Sequence, residues 1–143
     1  MTEFVSEIKT IPYAGSTIYE VLSDLRNLDK VKDKIPQDKI KNFSYDRDSC
    51  SVSVDPVGNI KFNIVDREPD STIKFEAEQV PFPINMWIQL KPGDGNETKM
   101  KLTVKADLNI FLKPMVSGPL KQAVDKIAEM IAMISYDKAI NEE

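Results

Sequence analysis

Between positions 39 and 109 the sequence consists of six segments in which apolar and polar residues alternate. Turn-forming groups interrupt the alternation about every ten residues, which is typical of strands joined by hairpins. These groups are "DRD", "PVGN", "EPDS", "PFP" and "PGDGN". Alternation places the apolar side chains on one face of a sheet and the polar ones on the other. The pattern predicts antiparallel strands near 39–46, 49–55, 59–67, 72–79, 84–91 and 97–109.

The residues before this region predict one more strand and two short helices. The segment "FVSEIKTI", residues 4–11, predicts a strand that ends at Pro12. A helix then begins near Ser16 or Thr17, where Thr17 and Glu20 have the spacing of a capping box. Its apolar residues recur every three or four positions at Ile18, Val21, Leu22 and Leu25. The same spacing continues through a second short helix with Leu28, Val31 and Ile35.

After "FLKPMVSGP" the helical period returns and predicts the longest helix of the chain. Its apolar stripe consists of Leu120, Val124, Ile127, Ile131 and Ile134. So wide a stripe needs a large apolar partner surface, and the inner face of the predicted sheet provides one. The sequence therefore predicts a single α+β domain over residues 1–143, with seven antiparallel strands.

Charge and composition narrow the classes of partner. The formal net charge is −4, so there is no basic excess to attract phosphates, and we expect no nucleic-acid partner. No segment has the roughly 20 apolar residues of a membrane-spanning helix, so we expect no stable membrane insertion. The N-terminus lacks a basic leader, and Cys50 is the single cysteine. These features favour a cytoplasmic protein.

The chain contains no histidine. It therefore lacks the commonest general base near neutral pH, the usual partner of a serine or cysteine nucleophile, and the commonest metal ligand. We predict no catalytic residues, no metal site and no cofactor. A pair of carboxylates acting as acid and base remains an alternative.

The order of one strand, two short helices, six antiparallel strands and a long helix resembles the START-like superfamily. This superfamily is also called SRPBCC or helix-grip, and includes the Bet v 1 type and the polyketide cyclase/dehydrase type. The most similar segments are "IPYAGSTIYEVLSDLRNLDKVKDKIP" and the helix after "FLKPMVSGPL". The resemblance implies a curved seven-stranded antiparallel sheet wrapped around the C-terminal helix, with two short helices after the first strand. It also implies a cavity for an apolar or amphipathic small molecule between sheet and helix.

Inward-facing positions supply candidate ligand-binding residues for such a cavity. Flexible methionines and large apolar side chains can conform to an irregular ligand, although they can equally fill an ordinary core. Ser6 is the candidate polar contact, because it lies between Phe4 and Ile8 on one face of the first strand. The candidates are Ser6, Phe62, Phe75, Met86, Met100, Ile127, Met130 and Ile131.

The segment "LDKVKDKIPQDKIK" mixes lysines and aspartates whose charges largely cancel, so we interpret its polar side as solvated. Its apolar residues Leu28, Val31 and Ile35 are expected over the mouth of the cavity, as the short helices are in the fold that the chain resembles. Short helices with few buried contacts open most easily, so these residues are candidates for a gate.

Three functional hypotheses follow. The first is non-enzymatic binding of a small hydrophobic molecule, and it requires an apolar cavity. The second is a cyclase or dehydratase that uses a buried carboxylate, Tyr45 or Tyr13, and it requires polar groups that converge inside the cavity. The third is a protein-interaction module with Trp87, which alternates with Met86 and Ile88, exposed to a partner.

Overall fold

A computed structural model describes residues 1–32 and 41–140. In this part of the chain eight strands form one antiparallel sheet in the order β1-β8-β7-β6-β5-β4-β3, and β2 also pairs with β8. The strands are β1 (Thr2–Val5), β2 (Lys9–Ile11), β3 (Lys41–Tyr45), β4 (Ser49–Val54), β5 (Gly58–Glu68), β6 (Thr72–Glu78), β7 (Ile84–Pro92) and β8 (Thr98–Ala106). The sheet is curved and open, and its inner face holds a long helix. The predicted α+β helix-grip architecture is therefore confirmed.

The helices lie at the two ends of the sequence. They are α1 (Gly15–Leu22), a 3₁₀ helix (Leu25–Lys30), α2 (Lys113–Met133) and α3 (Tyr136–Ile140). Pro114 lies in the first turn of α2, where its fixed φ suits a helix and its missing N–H is not needed. No helix in the described residues is long and apolar enough to cross a membrane.

The predicted alternation of side chains is present in the strands. In β7, Ile84, Met86, Ile88 and Leu90 are buried, whereas Asn85, Trp87 and Gln89 between them are not. The buried stripe of α2, formed by Val116, Leu120, Val124, Ala128 and Ile131, faces the same core. The hydrophobic core is thus a single layer between the sheet and α2.

The strand count is eight rather than seven, because the predicted strand over residues 4–11 is divided. Val5 pairs with Thr103 and Lys9 pairs with Met100, so four steps along the first segment oppose three along β8. The extra residue is accommodated at Ser6, whose backbone N–H donates to Leu102 O and whose hydroxyl accepts from Leu102 N–H. Such an insertion bends the edge of the sheet.

The capping box predicted for the first short helix is wrong, whereas the second short helix is present. Helix α1 begins at Gly15 with Ala14 as its N-cap and no side-chain cap, so Thr17 and Glu20 do not form a capping box. The second short helix is of the 3₁₀ type. It begins after Asp24, whose carboxylate accepts the Arg26 N–H and caps it.

Candidate functional site

A cavity lies between the last turns of α2 and the inner face of the sheet. Strands β3 to β7 form one wall, α1 and the 3₁₀ helix form a second, and the end of α2 forms the third. The lining residues are Leu22, Leu25, Leu28, Phe43, Cys50, Val52, Phe62, Phe75, Met86, Ile88, Ile127, Met130, Ile131 and Ile134.

The cavity is small. About 40 Å³ is available to the centre of a water molecule, whereas the total empty space, including space open to solvent, is about 510 Å³. The space of about 40 Å³ exceeds the roughly 10–15 Å³ that one water molecule needs. The interior therefore contains a real void, but ring-sized ligands need side chains to move.

The wall is apolar throughout. The lining side chains carry no hydroxyl, amide, carboxylate or amine, and the Cys50 thiol is their single polar group. Burial raises the pKa of this thiol to about 12, and the negative charge of Asp46 adds to the effect. Cys50 is therefore an uncharged thiol at neutral pH, and it behaves as a small apolar side chain with a weak donor.

The mouth of the cavity is marked by the lining residues that remain partly exposed, namely Phe43, Cys50 and Ile127. The ring of Phe43 contacts that of Tyr45, with 5.6 Å between the centroids. The Tyr45 hydroxyl in turn donates to the carboxylate of Asp29, which belongs to the 3₁₀ helix. Burial and the Asp29 hydrogen bond raise the pKa of Tyr45 to about 12. A protonated phenol thus closes the space between β3 and the 3₁₀ helix.

Six of the eight predicted ligand-binding residues line this cavity: Phe62, Phe75, Met86, Ile127, Met130 and Ile131. Ser6 and Met100 do not. Met100 is fully buried in the core, and Ser6 is engaged with Leu102 at the sheet edge, where its hydroxyl also donates to Glu7 O. Ile8, expected beside Ser6 on the inner face, is 65% exposed because the chain leaves the ladder between β1 and β2.

Two of the three residues predicted to form a gate, Leu28 and Val31, lie in the described part of the chain. Leu28 is buried and lines the cavity, whereas Val31 is buried next to the end of the 3₁₀ helix without lining it. Ile35 lies outside the described residues.

Sequence reasoning did not assign residues of α1, β3 or β4 to the site. The predicted apolar stripe of the first helix contained Leu22 and Leu25, which line the cavity from α1 and the 3₁₀ helix, and alternation placed Cys50 and Val52 on one face of β4. Periodicity gives the face on which each residue lies. It does not show that this face meets empty space rather than a packed neighbour.

A clasp of polar contacts holds the 3₁₀ helix against the β3–β4 turn. Arg67 on β5 donates from Nε to Ser23 O at 2.9 Å, and its terminal nitrogen donates to the Asp48 carboxylate. The Leu25 N–H donates to Arg47 O at 3.1 Å. The wall segment that carries Leu25 and Leu28 is therefore attached to the sheet by side chains outside the cavity.

The polar groups considered for catalysis do not converge in the cavity. The Tyr13 hydroxyl donates to Asp137 at 2.9 Å, and this hydrogen bond raises the pKa of Tyr13. Tyr45 donates to Asp29, as described above. Within residues 1–32 and 41–140 no group of three or more histidine, cysteine, aspartate or glutamate side chains is arranged to hold a metal ion.

Trp87 lies on the outer face of the sheet, opposite to Met86 and Ile88, as the alternation predicts. It is partly exposed, and the ammonium groups of Lys74 and Lys105 each lie 5.5 Å from its ring centroid. Binding of a protein partner at this surface stays a prediction.

Solved structures resemble the chain over almost its whole length. A START superfamily protein from Mycobacterium smegmatis is 13% identical, with a TM-score of 0.62 over 91% of this chain and 94% of its own. Norcoclaurine synthase from Thalictrum flavum, in complex with dopamine and hydroxybenzaldehyde, is 13% identical, with a TM-score of 0.64 over 92% of this chain and 85% of its own. A protein from Thermus thermophilus is 14% identical, with a TM-score of 0.64 over 97% of each chain.

No protein-family model matches the sequence, and no curated protein matches it. At these identities the likeness to solved structures establishes the fold, and the function has to be argued from the cavity.

Proposed function

We propose that this chain, which has the START-like, helix-grip fold, binds a small hydrophobic or amphipathic molecule in the cavity between the sheet and α2. The observation that carries the proposal is the composition of the wall, in which all fourteen lining residues are apolar apart from one thiol. Apolar lining is the usual character of small-molecule sites in proteins. A void in such a wall also forfeits packing contacts that a ligand would restore.

Binding requires the cavity to expand. Ligand pockets commonly have volumes of roughly 300–1,000 Å³, far above the 40 Å³ that this cavity offers. Met86 and Met130 are the most adaptable lining side chains, because each has three rotatable bonds and a polarisable thioether. The wall formed by the 3₁₀ helix is short and attached through exposed polar contacts, so it is the segment best suited to move.

The same wall supports binding over catalysis. A cyclase or dehydratase needs at least two polar groups near the reacting atoms. The two tyrosines considered for this role are each bonded to a carboxylate outside the lining, and neither lines the cavity. The wall therefore favours passive binding of a ligand over its chemical conversion.

The proposal is tested by titrating the protein with 1-methylnaphthalene, a neutral hydrocarbon, and measuring its fluorescence. The chain offers a matched pair of variants, because Val52 and Val54 are both buried on the inner face of β4 but only Val52 lines the cavity. Val52→Leu adds a methylene to the void and should weaken binding at least tenfold, which corresponds to about 1.4 kcal/mol of binding free energy. Val54→Leu should leave the affinity unchanged within about threefold. Absence of binding to the wild-type protein, or an equal effect of the two variants, would refute the proposal.

A further inference from the structure

The cavity offers almost no hydrogen-bonding capacity to a ligand. Its side chains provide one thiol, which is a weak donor and a weak acceptor. The backbone behind the lining residues of β4 to β7 is paired in the ladders, for example Val52 with Ile60 and Phe75 with Met86. A polar ligand atom that entered this wall would leave water and find no equivalent partner.

We infer that the part of the ligand inside this cavity is hydrocarbon without hydroxyl, carbonyl or amine groups, such as an acyl or isoprenoid chain rather than an oxygenated ring. This inference rests on the proposed function and specifies its ligand class. A hydroxyl buried without a partner loses its hydration free energy, whereas a methyl group of the same size gains from burial. The wall therefore selects against oxygenated compounds even when their shape fits.

Any polar group of the ligand belongs at the mouth. Two polar side chains adjoin the lining there, namely Tyr45, whose ring contacts Phe43, and Asp29, which accepts the Tyr45 hydrogen bond. Tyr45 is partly exposed and Asp29 is exposed. An amphipathic ligand would place its apolar part against Phe75, Met86 and Ile88 and leave its polar end in water.

The test compares 1-methylnaphthalene with 1-naphthol, which differ by the exchange of a methyl group for a hydroxyl of nearly the same size. Calorimetric titration of the wild-type protein should show naphthol binding roughly 10- to 100-fold more weakly, the range expected when an apolar pocket meets a hydroxyl. If the two compounds bind with equal affinity, the proposed function stands and the inference about ligand class is overturned. If neither binds, the proposed function fails and the inference fails with it.

A second comparison tests whether the lining residues determine the preference for 1-methylnaphthalene over 1-naphthol. Val52→Thr replaces a lining methyl group by a hydroxyl without changing the size of the side chain, and Val54→Thr makes the same change outside the lining. The first variant should narrow the affinity ratio between the two compounds by about tenfold, and the second should leave it unchanged. An unchanged ratio in both folded variants would show that the wall does not determine the selectivity and would overturn the inference. Circular dichroism and thermal unfolding identify variants that have not folded, in which case Cys50→Ser supplies the hydroxyl at a second lining position.

Discussion

The phenol of Tyr45 donates a 2.7 Å hydrogen bond to the carboxylate of Asp29. This contact joins β3 to the 3₁₀ helix, which contribute Phe43 and Leu28, respectively, to the lining of the cavity. Because both partners are near the surface, the contact can break without exposing the core, and it is suited to hold a wall that has to move.

Tyr45→Phe should therefore accelerate ligand exchange more than it destabilises the fold. The hydroxyl contributes about 1 kcal/mol or less at this accessibility, since the Asp29 carboxylate regains water when the bond is lost. Stopped-flow mixing with 1-methylnaphthalene should show association and dissociation rates that increase together by several-fold, with little change in equilibrium affinity.

Tyr13→Phe is the matched control, because Tyr13 also donates to an aspartate, Asp137, but lies away from the cavity mouth. We expect a similar small loss of stability without an effect on the exchange rates. Equal acceleration by both variants would contradict a specific role for the Tyr45–Asp29 contact.

The stability of the protein should fall at high pH because burial and hydrogen bonds hold several acidic groups in their neutral forms, Cys50 and Tyr45 among them. The pKa of Cys50 is raised from 9.0 to about 12 and that of Tyr45 from 10.0 to about 12. A group whose pKa is higher in the folded state binds more protons there, so its contribution is complete below its unfolded pKa and is lost as the pH rises to the folded value. Urea denaturation should show the free energy of unfolding decreasing from about pH 9 towards pH 12.

Single substitutions distinguish the contributions of Cys50 and Tyr45 to this pH dependence. Cys50→Ala should flatten the decrease between about pH 9 and pH 10, where the unfolded thiol ionises before the unfolded phenol. Tyr45→Phe should reduce the slope only above about pH 10. A pH profile that does not change in Cys50→Ala would show that the thiol is not held neutral by burial.

The cavity should also be visible in the stability of the apo-protein. Val52→Leu places a methylene into the void and should raise the free energy of unfolding by up to about 0.8 kcal/mol. Val54→Leu makes the same addition where the core is already packed, and should lower it by about 1–3 kcal/mol through overpacking. Chemical denaturation at neutral pH measures both, and a lower stability of both variants would mean that Val52 has no space to grow into.

The sequence could predict which face each residue occupies, but not what that face meets. Alternation in β7 placed Met86 and Ile88 inside and Trp87 outside, because the period of a strand is fixed by its backbone. The same alternation treats Val52 and Val54 as equivalent, yet only Val52 borders the cavity. That difference arises from where the end of α2 and the 3₁₀ helix pack, which depends on contacts distant in sequence.

Local patterns failed where tertiary contacts changed the backbone. Ser6 appeared as an inward polar residue of a continuous strand, but an extra residue opposite β8 turned its hydroxyl to the Leu102 N–H. The capping-box spacing of Thr17 and Glu20 was present, but the helix begins earlier, at Gly15. In both cases the position of the neighbouring element outweighed a weak local preference.

The Arg67 clasp should stabilise the wall formed by the 3₁₀ helix. Arg67→Met keeps the aliphatic stem and removes the hydrogen bonds to Ser23 O and Asp48, so it should lower the free energy of unfolding by about 1 kcal/mol, with solvent screening limiting the loss. Arg47→Met removes only a 4.0 Å contact with Asp48 and should stay within about 0.5 kcal/mol of the wild type. Hydrogen exchange should become faster at the Leu25 amide in the first variant only, and equal exchange in the two variants would contradict the clasp.

Tyr136 fixes the end of α2 from behind the cavity. It is fully buried, its ring packs edge-on against Tyr13, and its hydroxyl donates to Ile131 O at 2.6 Å. Burial raises its pKa, so the hydroxyl remains a protonated donor at neutral pH. Tyr136→Phe leaves the Ile131 carbonyl with the longer hydrogen bond from Ile134 N–H, at 3.4 Å, and should lower the free energy of unfolding by about 1 kcal/mol. Because Ile131 and Ile134 line the cavity, the variant should also weaken the binding of 1-methylnaphthalene, whereas Tyr19→Phe, a substitution outside the lining, should leave it unchanged. A variant that is destabilised but binds with wild-type affinity would show that the position of the α2 end does not set the shape of the cavity.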